Sequence, residues 1–372
     1  MSHSLLIRGG RVIDPSQQID ETADVLIVDG RVAAIGRDVG RDAEKIIDAG
    51  GRIVAPGLID MHVHLREPGF EHKETIATGT AAALAGGFTA VACMPNTDPP
   101  IHDDTQVEFV LRQAARCDHC RVHPIGAITR DRRGEALAEI GLMVRAGAVA
   151  FSDDGCGVAD AGVCLRAMSY VSMFDKLFIQ HCEEPTLAGG CMNAGPLATR
   201  LGMPGMPAIA EEIMAERDVR LASQAGVRYH VAHVSTAGCV EIVRRAKQAG
   251  LPVTTEVCPH HLLLTDEACA SFDPNTKMSP PLRSMNDVAA CLEGVADGTI
   301  DCLVTDHAPH ATAEKELGFQ AAPFGIIGLE TALPLFIKAL IEPDVLDWPR
   351  LITAMSTRPA ELLRVPGGSL KV

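Results

Sequence analysis

The chain is 372 residues long, 47% hydrophobic and 22% charged, with Gly and Pro spread along it and a formal net charge of −15. This composition excludes a disordered polymer, and the length suits a barrel of about 250 residues with a small appendage. The acidic balance, without a basic stripe, excludes a nucleic-acid partner and requires that any anionic substrate be met by local cations.

Residues 1–10 lack the succession of basic, apolar and small residues that marks a signal peptide. No uninterrupted apolar run reaches the ~18 residues of a membrane helix, so a cytoplasmic protein is expected. Residues 4–14 and 24–36 are short apolar and alternating runs, and Asp29-Gly30 is a strong two-residue hairpin signal inside the second. A small β domain over residues 1–55 is therefore predicted, with Arg52-Ile53-Val54-Ala55-Pro56 leading out of it.

From there strand-like and helix-like runs alternate. The strand-like ones are Leu58 to His64, Thr89 to Met94, Val122 to Ile128, Ala148 to Ser152, Leu177 to Cys182, Arg228 to Val234, Val253 to Val257 and Ile300 to Thr305. Helical composition fills Glu74 to Ala85, Thr105 to Ala115, Glu135 to Ala146, Ala208 to Ala225, Cys239 to Ala249 and Asn286 to Val295. Eight strands alternating with helices predict an α/β fold, a (β/α)8 TIM-type barrel over residues 56–358, closed by helices at Leu329 to Leu340 and Pro349 to Thr357. There is no solenoid repeat and no low-complexity segment.

The 12 cysteines are scattered through these runs, as small buried thiols are in a reducing compartment. Cys117-Asp118-His119-Cys120 with His123 is the one metal-like cysteine spacing, and it lacks a second pair in zinc-ribbon range, so it is read as structural.

The metal-capable residues fall at particular places on this map. On a strand, residues i and i+2 share a face, so His62 and His64 present two imidazoles to one space. They end the first strand; Asp153 ends the fourth, His181 the fifth, His233 the sixth and Asp306 the eighth. The active site of such a barrel is built at the C-terminal rim, so these six N and O ligands are expected to converge on one mouth.

These residues carry a family resemblance. Pro56-Gly57-Leu58-Ile59-Asp60-Met61-His62-Val63-His64-Leu65-Arg66-Glu67-Pro68-Gly69, Met94-Pro95-Asn96-Thr97, Phe151-Ser152-Asp153-Asp154-Gly155, His181-Cys182-Glu183, His233-Val234-Ser235-Thr236-Ala237 and Thr305-Asp306-His307-Ala308-Pro309-His310 together resemble the dihydroorotases of the amidohydrolase superfamily, from about Ile7 to about Gly368. The resemblance implies reversible closure of N-carbamoyl-L-aspartate to L-dihydroorotate, a step of pyrimidine synthesis, by way of a hydroxide held between two divalent ions.

By the same resemblance His62, His64 and Asp306 hold one ion, His181 and His233 the other, and Asp153 is shared. Two Zn2+ per chain suit that donor set, although other divalent ions remain open. Asp306 is the candidate proton shuttle, being a carboxylate beside the hydroxide. Arg66, Asn96 and His310 are candidates for the substrate carboxylate, Ser279 for the place where the family commonly has a substrate-contacting Asn, and Pro323, Phe324 and Gly325 for the segment whose backbone faces the ring. A water is expected to bridge from the shorter Ser279 hydroxyl.

Many superfamily members bridge their metals with a carboxylated lysine, and no Lys stands near the fourth strand end here. Relatives continue past Leu370-Lys371-Val372 with further β-strands, so residues 359–372 are expected to return to a small β domain left with an unpaired edge. Alternative readings are another cyclic-amide hydrolase of the allantoinase or hydantoinase kind, and a non-catalytic subunit that scaffolds aspartate transcarbamoylase. A homodimer, with or without that transcarbamoylase, is the assembly the resemblance implies.

Overall fold

The structure is a computed structural model and describes residues 3–40 and 42–372. The opening segment forms a five-stranded sheet around β1 (Ser4–Asp14), which pairs antiparallel with β2 (Ile19–Val28). β3 (Arg31–Gly36) continues the antiparallel order beyond β2, while β4 (Lys45–Asp48) and β5 (Ile53–Val54) lie parallel to successive parts of β1. The predicted turn joins β2 to β3, with both central residues at positive φ, Asp29 at 48° and Gly30 at 77°, as a primed turn requires. β4 is an edge, with Ile46 and Ile47 exposed. β2 begins five residues before the apolar run that marked it, because Pro15 and left-handed Gln18 turn the chain early and send the polar stretch 19–23 back along β1.

The barrel follows. Its strands are β6 (Leu58–Val63), β7 (Phe88–Cys93), β8 (Arg121–Gly126), β9 (Ala150–Phe151) and β10 (Leu177–Gln180); then, after a short ladder of β11 (Met192–Asn193) with β12 (Gly205–Met206), come β13 (Arg228–Val231), β14 (Val253–Val257) and β15 (Cys302–Leu303). All eight barrel strands are parallel neighbours in chain order, and all eight fall inside or within a residue of the predicted runs. The seam between β15 and β6 is drawn together by a parallel bridge from Val63 to His307, a 2.8 Å bond from the His64 N–H to the His307 carbonyl, and buried Asp60, which accepts from the Thr305 and His62 N–H groups. Burial pushes the Asp60 carboxyl up to about 7 against those two bonds.

Each predicted helical stretch holds a helix. Another, Ala161–Ser172, has a weak sequence signal because Gly, Val, Cys, Ser and Tyr are weak helix formers; Asp160, whose side chain accepts from the Val163 N–H at 2.7 Å, starts it. Helices and strands bury a shared outer layer that includes Phe88, Phe151, Phe178 and Tyr229, whereas Met61, Ala92, Ile125, Ala150, Leu177, Ile179 and Val304 fill the barrel interior. No helix among the described residues is long and apolar enough to cross a membrane.

Leu362 and Leu363, on the helix Arg358–Leu363, pack into the interior cluster at 5% and 1% exposure, and Val365 packs against it. The chain then reaches the small sheet, where the Leu370 N–H and the Ser369 hydroxyl bond the buried Asp14 carboxylate at 2.6 and 3.2 Å and Leu370 packs against the Val12, Ala23 and Val25 cluster. Truncating a packed core leucine costs about 2–5 kcal/mol. Leu363→Ala is accordingly expected to lower the unfolding free energy by that amount in denaturant titration, without altering the ligands at the opposite end of the barrel.

Candidate active site

Side chains alternate along the barrel strands, and this alternation selects the site residues. Leu177 and Ile179 point inward on β10 while Phe178 points to the helices, so His181 continues the inward phase. Cys302 and Val304 carry Asp306 inward in the same way. On β9, Ala150 is inside and Phe151 outside, which makes Asp154 the inward carboxylate and Asp153 the outward one. The expectation that Asp153 meets the histidines is corrected here. Its carboxylate instead accepts from the Ile128 N–H at 2.8 Å, the Thr129 N–H at 3.0 Å and the Thr129 hydroxyl, tying the end of β9 to the end of β8.

Asp154 lies among the imidazoles. Its Oδ1 is 3.4 Å from His62 Nε2, 3.7 Å from His181 Nδ1 and 3.6 Å from His233 Nε2, and its Oδ2 is 3.5 Å from His64 Nε2. Asp306 Oδ1 is 2.9 Å from His64 Nε2 and 3.6 Å from His62 Nε2. Among the described residues His62, Asp154 and His233, and again His62, His64 and Asp306, bring donor atoms within 4.8 Å of one another. Cys117, Cys120, His119 and His123 form no such group.

Three of the histidines are backed by an acceptor that fixes the proton on the outward nitrogen. His62 Nδ1–H donates to Glu256 Oε1 at 2.5 Å, His64 Nδ1–H to Asn96 Oδ1 at 2.8 Å, and His181 Nε2–H to Glu183 Oε2 at 3.2 Å. With the proton there, the inward nitrogen of each offers its lone pair, the tautomer that a metal ligand needs; His64 Nε2 faces Asp306 Oδ1 and His181 Nδ1 faces His233 Nε2, each at 2.9 Å. His62 Nε2 and Asp154 Oδ1, both buried, hydrogen-bond to nothing. Ligand atoms about 3.3 Å apart are what tetrahedral coordination at ~2.0–2.1 Å produces, close to the spacings around Asp154. The residues therefore fit a cation.

Electrostatics agree with this arrangement. Burial alone would raise the Asp154 carboxyl, but the imidazoles of His62, His181 and His233 gathered around it hold it well below the usual range. Burial acts the same way on Glu256; His62 and His230 overcome it and bring the carboxyl down to about 2. Glu256 Oε2 is 3.1 Å from His230 Nε2, and its Oε1 also accepts from the His233 N–H at 3.3 Å, so one buried carboxylate braces ligands from two strands. Arg66, His233 and Asp306 have φ of 62°, 30° and 47°, a left-handed backbone that costs about 1–3 kcal/mol each and gathers at functional sites.

A cavity of about 340 Å3 opens over the cluster. Arg66, Asn96, Ser279, His310, Pro323, Phe324 and Gly325 all line it, together with Glu183. Arg66 Nε donates to the Pro309 carbonyl at 3.1 Å, which orients the guanidinium. His310 Nε2–H donates to the Phe324 carbonyl at 2.7 Å, and burial with the nearby Arg66 charge pushes His310 down to about 4, so it is neutral at pH 7 and Arg66 supplies the positive charge. The Ser279 hydroxyl bonds Glu183 Oε2 at 3.0 Å. Asp154, Glu183 and Glu256 were missed in the sequence; strand phase would have found Asp154 and Glu256, and Glu183 stands in the His181-Cys182-Glu183 motif.

A family model described as "Dihydro-orotase-like" matches residues 51–238. The dihydroorotase of Pelotomaculum thermopropionicum is 52% identical over 368 residues, covering 99% of this chain and 86% of that protein. The dihydroorotase of Syntrophus aciditrophicus is 49% identical over 370 residues, covering 99% and 87%. Among solved structures, the L-hydantoinase (dihydropyrimidinase) from Arthrobacter aurescens superposes with a TM-score of 0.89 at 27% identity, over 100% of this chain and 85% of that one. A D-hydantoinase superposes at 0.80 and 24% identity, over 100% and 84%, and shares the fold.

The two adjacent aspartates separate cleanly by experiment. Asp154→Asn is expected to lose bound divalent metal, read by elemental analysis after dialysis. Asp153→Asn is expected to keep the metal and to lose about 1–3 kcal/mol of stability, because its buried donors are left poorly matched.

Proposed function

The chain belongs to the dihydroorotase family, whose reaction closes N-carbamoyl-L-aspartate reversibly to L-dihydroorotate in pyrimidine synthesis, and on that premise we propose that its site works with two divalent ions, Zn2+ being the best matched. The observation that carries the proposal is the set of inward imidazole nitrogens grouped around buried Asp154. His62 Nε2, His64 Nε2 and Asp306 would hold one ion, His181 Nδ1 and His233 Nε2 the other, with Asp154 between them. When bound, such ions lower the pKa of a water towards about 7 and polarise the amide carbonyl.

The remaining work belongs to side chains. Asp306 is 13% exposed at its side chain and lines the cavity, so in ring opening its carboxylate takes the proton of the attacking water and delivers it to the departing ring nitrogen. Ring closure runs the same transfer backwards. Arg66 offers its terminal nitrogens as a fork to the substrate carboxylate while Nε stays on Pro309. Asn96 is turned by His64, which occupies its oxygen and leaves the amide N–H2 as donor. Pro323, Phe324 and Gly325 give the backbone wall. All cysteines are free, which fits a reducing cytoplasm.

No lysine stands near the end of β9, where a hydantoinase reading expects a carboxylated one and where Asp154 turns inward, and the relatives near 50% identity are named dihydroorotases. Purified protein reconstituted with Zn2+ is expected to hold about two equivalents and to hydrolyse L-dihydroorotate; the absence of stoichiometric metal overturns the reading. Asp306→Asn separates ligand from shuttle. Its amide oxygen can still coordinate but cannot accept a proton, so the metal-saturated variant is expected to fall by at least the ~10²-fold that general-base catalysis contributes. Retention of more than about a tenth of wild-type kcat under those conditions leaves Asp306 as a ligand only.

A further inference from the structure

The wall at Pro323–Gly325 is irregular backbone, and its carbonyls are held from outside by side chains. Lys277 Nζ donates to the Gln320 and Ala322 carbonyls at 2.8 and 2.6 Å and sits 4.4 Å from the centre of the Phe324 ring. Lys315 Nζ donates to the Pro323 and Gly325 carbonyls at 3.0 and 2.9 Å. With His310 on the Phe324 carbonyl and the Gly325 N–H on the Lys277 carbonyl at 2.9 Å, every residue from Ala322 to Gly325 is fixed through its backbone.

Neither ammonium forms an ion pair among the described residues, and each spends its donors on carbonyls instead. That is a costly way to fasten a surface loop. A charged group taken partly out of water is normally paired with a carboxylate, whereas here neither ammonium is, Asp273 acting on Lys315 only from beyond ion-pair distance, beside a site that must accept an anion. In a trans peptide the C=O and N–H point opposite ways, so where Lys315 holds the Pro323 carbonyl sets the direction of the Phe324 N–H. Gly325, at φ 101°, lets the chain pass Ala308, whose Cβ would lie 2.6 Å from an added Cβ.

We propose that Lys315, with Lys277, is a substrate-positioning residue: the pair sets the backbone wall of the cavity and adds positive field for the carboxylated substrate without touching it. The proposal rests on the dihydroorotase reading of the cavity. Burial, then the charge of Lys277, pushes Lys315 down to about 8 against Asp273, and His310 and Glu316 line the same hollow as Lys315. Its charge-assisted bonds therefore weaken above about pH 8.

Two readouts test this. In ligand-free protein, amide exchange over residues 322–326 is expected to quicken about tenfold in Lys315→Met and to stay near wild type in Lys315→Arg. In turnover of L-dihydroorotate at pH 7, Lys315→Met is expected to raise KM about tenfold, with kcat within about threefold and metal content unchanged. Wild-type KM is expected to rise above about pH 8, and Lys315→Arg to displace that rise to higher pH. A KM within twofold of wild type in Lys315→Met overturns the proposal, as does an unchanged pH profile in Lys315→Arg, which also serves if the Met variant folds poorly. Failure of the wild type to act on dihydroorotate sinks the functional reading instead; unchanged exchange in Lys315→Met then overturns the positioning role independently of substrate.

Discussion

Lone pairs and negative charge cannot be crowded into a buried space unless something positive joins them. At the mouth of this barrel Glu256, Asn96 and Glu183 pin the protons of His62, His64 and His181 on their outer nitrogens, and the inner nitrogens are then left facing Asp154 and Asp306. Everything around the cluster serves that concentration. Buried Asp60 and the Val63–His307 bridge close the seam on which His62, His64 and Asp306 sit, and three of the site residues accept a left-handed backbone. A site that stores strain and repulsion needs a stiff frame, and the eight-stranded barrel supplies one.

Much of this frame was legible because both strand and helix signals come from burial. The eight barrel strands are short runs largely buried on both faces, and such runs stand out against the helical stretches between them. The histidines were legible because each lies at or just beyond the C-terminal end of such a run. The choice between Asp153 and Asp154 was lost on a single residue of phase; bulky Phe151 facing the helices, with Ala150 inside, decides it. The beginning of β2 was obscured for a different reason, since residues 19–23 are largely exposed and their pairing to β1 is specified by the turn before them. Lys277 and Lys315 gave no signal, because a lysine bonded to loop carbonyls has the same sequence appearance as one in solvent.

The chain is acidic overall, with 33 basic and 48 acidic residues, yet its reading requires a pocket for a carboxylate. The structure reconciles these by local placement. Arg66 is buried to 9% exposure and keeps its charge, since guanidinium remains protonated even where burial lowers its pKa. His310 stays neutral and acts through geometry. The two lysines stand behind the wall, so positive charge gathers around a cavity that Arg66 lines directly.

Specificity follows from another wall of the same cavity. Ser279 reaches Glu183, and Glu183 in turn holds His181. Burial would raise Glu183, but its bonds to His181 and Ser279 hold it below its ordinary value, so this wall stays anionic at neutral pH. A ligand that fills the cavity must then offer an acceptor end to Arg66 and Asn96 and donors to Glu183. A carboxylate joined to a ring with N–H groups meets both demands, whereas a ring without the carboxylate leaves the buried guanidinium unpaired, which is the costlier mismatch.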